Sequence, residues 1–163
     1  MLRLLIALLL LFPCASAWAD AGKLVGVWKL NSFVTEIVQT KERRNLYGAN
    51  PNGYLIITPE RFMSIVTADG RKPPQTDEDR INGFRTMYAY TGPYRVEGDR
   101  LTVKVEVAWN EAWIGTDQIR IFRLEADKLF IESIPASVVP DPATNNNPGL
   151  GTTRGIVEWE RSK

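Results

Sequence analysis

Arg120 raises the first chemical question. It stands in "TDQIRIFRL", Thr116 to Leu124. Period-two counting puts Gln118, Arg120, Phe122 and Leu124 on one face of a strand, and Asp117, Ile119, Ile121 and Arg123 on the other. If Phe122 and Leu124 point to a core, Arg120 points there too. A lone guanidinium is costly to bury, so it needs an anionic partner. One choice is an internal carboxylate, with Glu106, Glu132 and Glu158 as candidates. The other is the carboxylate of a bound molecule, which the planar guanidinium fork matches.

Tyrosines supply the second group. Tyr88, Tyr90 and Tyr94 share one face of "YAYTGPYRV", each bringing apolar area and a hydroxyl that wants a partner. The cleanest alternation lies in "LTVKVEVAW", where Leu101, Val103, Val105 and Val107 fall together, opposite Thr102, Lys104 and Glu106. Arg120, Phe122, Tyr88, Tyr90, Tyr94, Val103 and Val105 form the candidate ligand-binding set: apolar walls around one cation. The alternative is ordinary packing. Trp109 and Trp113 bracket "NEA" between two strands and form a rim for a ligand, a membrane-facing patch or a cover for the core beneath.

The residues that are missing narrow the chemistry further. The chain has no histidine and one cysteine, Cys14. That removes imidazole bases, His-dependent triads and most zinc or copper sites. Acid–base chemistry would fall to Glu106, Glu132, Glu158 or a tyrosine, and no two of these read as a dyad. No catalytic residue, metal site or cofactor is assigned, and a binding protein fits better than an enzyme.

These residues need elements to hold them. Short strands recur between turn signals. They are expected at 25–38, 54–58, 61–67, 87–97, 101–109, 116–124, 129–134 and 153–161. Thr76 is a helix N-cap, with acids following at Asp77, Glu78 and Asp79, so one short helix is expected at about 77–86, between strands three and four. The result is an all-β, eight-stranded antiparallel up-and-down barrel, whose interior holds side chains or one small ligand. The loop 135–152 lacks any pattern and reads as either a lid or a disordered segment.

Compartment and partners follow from the ends and the charge. Met1 to Arg3 is a short basic start, and Leu4 to Phe12 is an apolar run too short to span a bilayer. Ala17-Trp18-Ala19 offers a cleavage site. Residues 1–19 therefore read as a signal peptide and 20–163 as one domain, periplasmic or secreted. With 20 basic and 19 acidic residues, nothing points to a nucleic-acid partner. No stretch after the leader is apolar enough to be a transmembrane segment.

At Gly26-Val27-Trp28 the sequence meets the Gly-x-Trp of the lipocalins. "LVGVWKLNSF", "GYLIITPERFMSI", "YAYTGPY", "WIGTDQIRIF" and "IVEWER" together resemble the lipocalin-like domain family of bacterial and fungal proteins, from Leu24 to Arg161. The resemblance implies a closed calycin-type barrel, a fold known mainly for carrying small apolar molecules. It implies a structural role for Gly26 and Trp28 at the closed end, with a late arginine stacked on the indole. Arg161, Arg154 and Arg120 are the candidates. The Thr-Asp element at Asp117 is implied to be structural, the carboxylate bonding nearby backbone. Relatives often carry histidine on the fifth strand, and this chain has none there, so no histidine-dependent activity carries over. The reading is an exported binding protein for a small apolar or amphiphilic molecule, with room for a carboxylate at Arg120. The alternatives are an isomerase, cyclase or hydratase on the same barrel, and a structural envelope protein with a filled interior.

Overall fold

The computed structural model describes residues 22–137 and 152–163. The expected signal peptide and most of the 135–152 loop lie outside the described residues. The elements run β1 (Gly26–Ile37), β2 (Arg43–Arg44), β3 (Asn52–Ile57), β4 (Phe62–Thr67), α1 (Asp77–Arg85), β5 (Met87–Gly92), β6 (Tyr94–Glu97), β7 (Arg100–Lys104), β8 (Val107–Ala108), β9 (Asp117–Glu125), β10 (Lys128–Ser133), β11 (Ala136–Ser137) and β12 (Thr152–Arg161). A three-residue 3₁₀ turn, Glu111–Trp113, precedes β9. Among the described residues no helix is long and apolar enough to cross a membrane.

All strand pairs are antiparallel and belong to one curled sheet. Its order is β6-β7-β9-β10-β12-β1-β3-β4-β5-β8, with β2 on β1 and β11 on β12. Twelve strand segments are present among the described residues, against the eight strands expected. Two expected strands are each broken in two. Pro93, which has no N–H to give a ladder, separates β5 from β6. Residues 105–106 separate β7 from β8. The short β2 and β11 add the rest. Both halves of the first broken strand pair with the second: Tyr94 faces Val103, and Tyr90 faces Ala108. The two ends of the sheet order therefore meet.

The break over 105–106 also corrects the expected face of the fifth strand. Leu101, Val103 and Val105 are buried, but Val107 is 61% exposed. One unpaired residue reverses the alternation, so Ala108 takes the inward position opposite buried Tyr90. β1 does the same. Its register against β12 shifts between Leu30 and Ser32. Trp28 and Leu30 face in before the shift, and Thr35 and Ile37 after it. A strict period of two would have turned one of these pairs to solvent.

The helix is fixed by its cap. The Thr76 hydroxyl accepts from the Asp79 N–H, and the Asp79 carboxylate accepts from the Thr76 N–H, a reciprocal capping box. None of its residues is buried. Phe84 meets Trp109 at 6.4 Å between ring centroids.

The two ends of the sheet differ. At one end the connections are short, such as 98–99 and 126–127; at the other they are long, 38–51, 68–86 and 109–116. The short-turn end is solid, filled by Trp28, Leu55, Leu101, Leu129 and Trp159, all essentially buried. The long-connection end is where the interior opens.

Candidate functional site

A cavity of about 360 Å³ occupies the open half. Phe62, Val157 and Trp159 border it toward the solid end. Phe33, Tyr47, Tyr88, Tyr90, Trp109 and Trp113 form an aromatic wall, and Ser64, Gln118, Arg120, Ser133 and Thr153 add polar groups. Arg120 is the one charged side chain among the described lining residues.

The wall is built by alternation on β5 and by the 3₁₀ turn. Tyr88 and Tyr90 leave the same face of β5, two residues apart, with ring centroids 6.1 Å apart. Asn110 accepts from the Ala112 N–H at 3.0 Å and so caps the turn. The turn brings Trp113 to 4.8 Å from Trp109 and 5.4 Å from Tyr90. Trp109 and Trp113 therefore both line the cavity and pack against each other.

Arg120 sits beside this wall. Its Cζ lies 5.7 Å from the Tyr90 ring centroid. Nη1 donates to the Ile119 carbonyl at 2.9 Å and Nη2 to the Gln118 side-chain oxygen at 3.1 Å. Both acceptors are neutral. The three carboxylates offered as internal partners are engaged elsewhere. Glu106 accepts from Arg61 at 2.6 Å, Glu132 from Arg154 at 2.8 Å, and Glu158 from Lys128 at 2.7 Å. None of them lines the cavity. That also removes them as proton donors for chemistry inside it. Tyr88 and Tyr90 are held as neutral phenols. Burial pushes the Tyr88 hydroxyl far above the usual phenol range, with a weak contact from Ser64 at 3.5 Å and the Arg120 charge pulling the other way. Burial also raises Tyr90, partly offset by the Arg120 charge.

Four of the expected site residues lie off this cavity. Tyr94 shares the face of Tyr90 but sits lower, where its hydroxyl donates to the Thr58 carbonyl at 2.9 Å. Val103 and Val105 are fully buried in the core. Phe122 is buried too and lies at the solid end, beside Asp99 and Leu124. Period two sets the face of a residue and leaves open which inward residues border a cavity: Val103 pairs with Gln118, which lines it, yet Val103 itself is covered by the core. Conversely, Phe33, Tyr47 and Trp159 line the cavity without having been singled out. Their signal was present only as aromatic residues on strands or beside them.

The solid end settles which arginine covers Trp28. Arg161 lies over the ring at 4.0 Å. It donates through Nη1 to the Val25 carbonyl at 3.1 Å and through Nη2 to the Lys23 carbonyl at 2.8 Å. The Trp28 indole donates to the Leu24 carbonyl at 2.9 Å. Gly26 has φ +149, and a Cβ there would come within 2.5 Å of Arg161 Nη1. The glycine of Gly-x-Trp thus leaves room for the guanidinium. Arg154 is committed to Glu36 at 2.9 Å and to Glu132. Asp117 lies 3.8 Å from Arg95 and 3.7 Å from Lys104, so its carboxylate ties β9 to β6 and β7 instead of bonding the adjacent backbone.

The family model described as a lipocalin-like domain matches residues 25–162. Comparison with curated proteins and with solved structures finds no match.

Proposed function

Because the chain belongs to the lipocalin-like domain family, we propose that it binds a small amphiphilic molecule, apolar body inward and acidic group on Arg120, inside an eight-stave barrel. The staves are β1, β3, β4, β5 with β6, β7 with β8, β9, β10 and β12. One observation carries the reading: a cavity with aromatic walls has Arg120 as its one charged lining residue, and no carboxylate within the described lining answers it. A guanidinium held by three neutral groups, the Ile119 carbonyl, the Gln118 oxygen and the Tyr90 hydroxyl, keeps two N–H groups for an incoming anion. Apolar burial provides most of the affinity, at about 25 cal/mol per Å² before ordering costs. The arginine selects for charge. Residues 1–19 direct export and are removed before Asp20, which places the domain in a periplasm or outside the cell. Amino-terminal sequencing of mature protein should begin at Asp20, and a start at Met1 would contradict export.

The binding test compares a medium-chain fatty acid with the alcohol of the same skeleton by calorimetry. Arg120→Gln should weaken the acid by about 1.5–3 kcal/mol, the worth of a charged hydrogen bond, and leave the alcohol nearly unchanged. Equal losses for both, or a fall in stability without ligand, would make Arg120 a structural residue.

A further inference from the structure

The same cavity says more about the body of its ligand than about its headgroup. Its aromatic side chains form a continuous belt. Tyr88 meets Trp109 at 6.3 Å, Trp109 meets Trp113 at 4.8 Å, Trp113 meets Tyr90 at 5.4 Å, and Tyr90 meets Phe62 at 5.3 Å. No ring pair among the described residues is flatter than the 31° of Phe62 and Tyr90. Every contact is therefore tilted or edge-on. Rings that meet in this way leave π-faces without a parallel partner, and offset stacking is one of the two favoured aromatic geometries. A flat guest can supply that partner; a flexible alkyl chain cannot.

Arg120 adds a second constraint. Its guanidinium lies over the Tyr90 ring, 5.7 Å from the centroid. Its five N–H groups meet three neutral partners, the Ile119 carbonyl, the Gln118 side-chain oxygen and the Tyr90 hydroxyl, which leaves two for a guest. A carboxylate attached to an aromatic ring is conjugated with it and close to coplanar. A fork that fixes such a carboxylate also fixes the plane of the ring. On an alkyl acid the same fork fixes the headgroup alone and leaves the chain to pay its own ordering entropy. The volume agrees: about 360 Å³ suits a compact guest of two or three fused rings, at the low end of small-molecule pockets.

We infer that the cavity selects a planar aromatic carboxylate of two or three fused rings over an aliphatic acid of similar size. This rests on the reading of Arg120 as an anion anchor, and the test separates the two. The probes are 2-naphthoate, 2-naphthalenemethanol and decanoate, titrated calorimetrically into the whole mature protein, into Arg120→Gln and into Trp113→Leu. Trp113 is only partly buried, so Leu is tolerated there; thermal melting of each variant checks this, and Tyr90→Leu gives a second removal of a belt ring. The expected result is 2-naphthoate bound at least tenfold more tightly than decanoate. Trp113→Leu or Tyr90→Leu should shrink that preference to threefold or less, the greater loss falling on 2-naphthoate. Arg120→Gln should weaken both acids and spare the naphthyl alcohol. If the two acids bind equally, or decanoate binds better, while both depend on Arg120, the aromatic preference is wrong and the anion anchor stands. If neither acid depends on Arg120, or neither binds, both inferences fall.

Discussion

Arg161→Ala should destabilise the domain by about 2–3 kcal/mol, and the structure lets that figure be assembled. The guanidinium lies 4.0 Å from the Trp28 ring, a cation–π contact worth about 1 kcal/mol at a partly exposed site. It also donates to two carbonyls, those of Val25 and Lys23, each worth about 0.5–1 kcal/mol once solvent competition is allowed for. For a domain of this size the loss corresponds to a fall of about 5–10 °C in Tm. Gly26→Ala attacks the same contact from below. Its Cβ would overlap Nη1 at 2.5 Å, and φ +149 is strained for alanine, a cost of about 1–3 kcal/mol. The overlap vanishes once the arginine is gone, while the strain remains. The double variant should therefore be less destabilised than the sum of the two, by about 1–2 kcal/mol. Arg161→Lys keeps the charge but not the fork and should recover less than half of the loss. The assay is urea unfolding at constant m-value. A cost below about 0.5 kcal/mol for Arg161→Ala, or strict additivity with Gly26→Ala, would refute this account of Gly-x-Trp.

Two further outcomes follow from packing and charge. A Cβ at Gly92 would lie only 1.8 Å from the Lys104 carbonyl oxygen, which is backbone and cannot step aside; Gly92→Ala should cost about 3 kcal/mol or more and show as loss of soluble folded protein, and a normal melting curve would count against the close crossing there. Glu36 is buried, and although burial pushes its carboxyl up, the Arg154 hydrogen bond and charge outweigh this, with help from Arg43 and Lys41, so its pKa lies below the ordinary 4.5. A depressed carboxylate contributes stability above its unfolded value and loses it as pH falls through its folded value. The stability gap between the native protein and Glu36→Gln should be constant near neutrality and shrink on acidification below pH 4.5; a gap that holds to pH 2 would show that charge is not its source.

The sequence by itself determined the local part of this protein. Turn residues located the strands to within a few residues, Thr76 and its acids located the helix, and alternation through Gln118, Arg120 and Phe122 put the guanidinium on the inner face. These are legible because cap chemistry and Cβ direction depend on neighbours in the chain. The tertiary structure decided the rest. It put Arg120 and Tyr90 on the lining of a cavity and Tyr94, Val103 and Phe122 off it, although all share inward faces. It gave Glu106, Glu132 and Glu158 to Arg61, Arg154 and Lys128. From three arginines it placed Arg161 on Trp28, 133 residues earlier in the chain. The shift between Leu30 and Ser32 in β1, and the break before Val107, reversed which residues face inward with no turn signal to mark them. Cavity lining, partner and bulge all depend on how strands slide against one another when the sheet curls, and that registry is set by contacts between residues far apart in sequence.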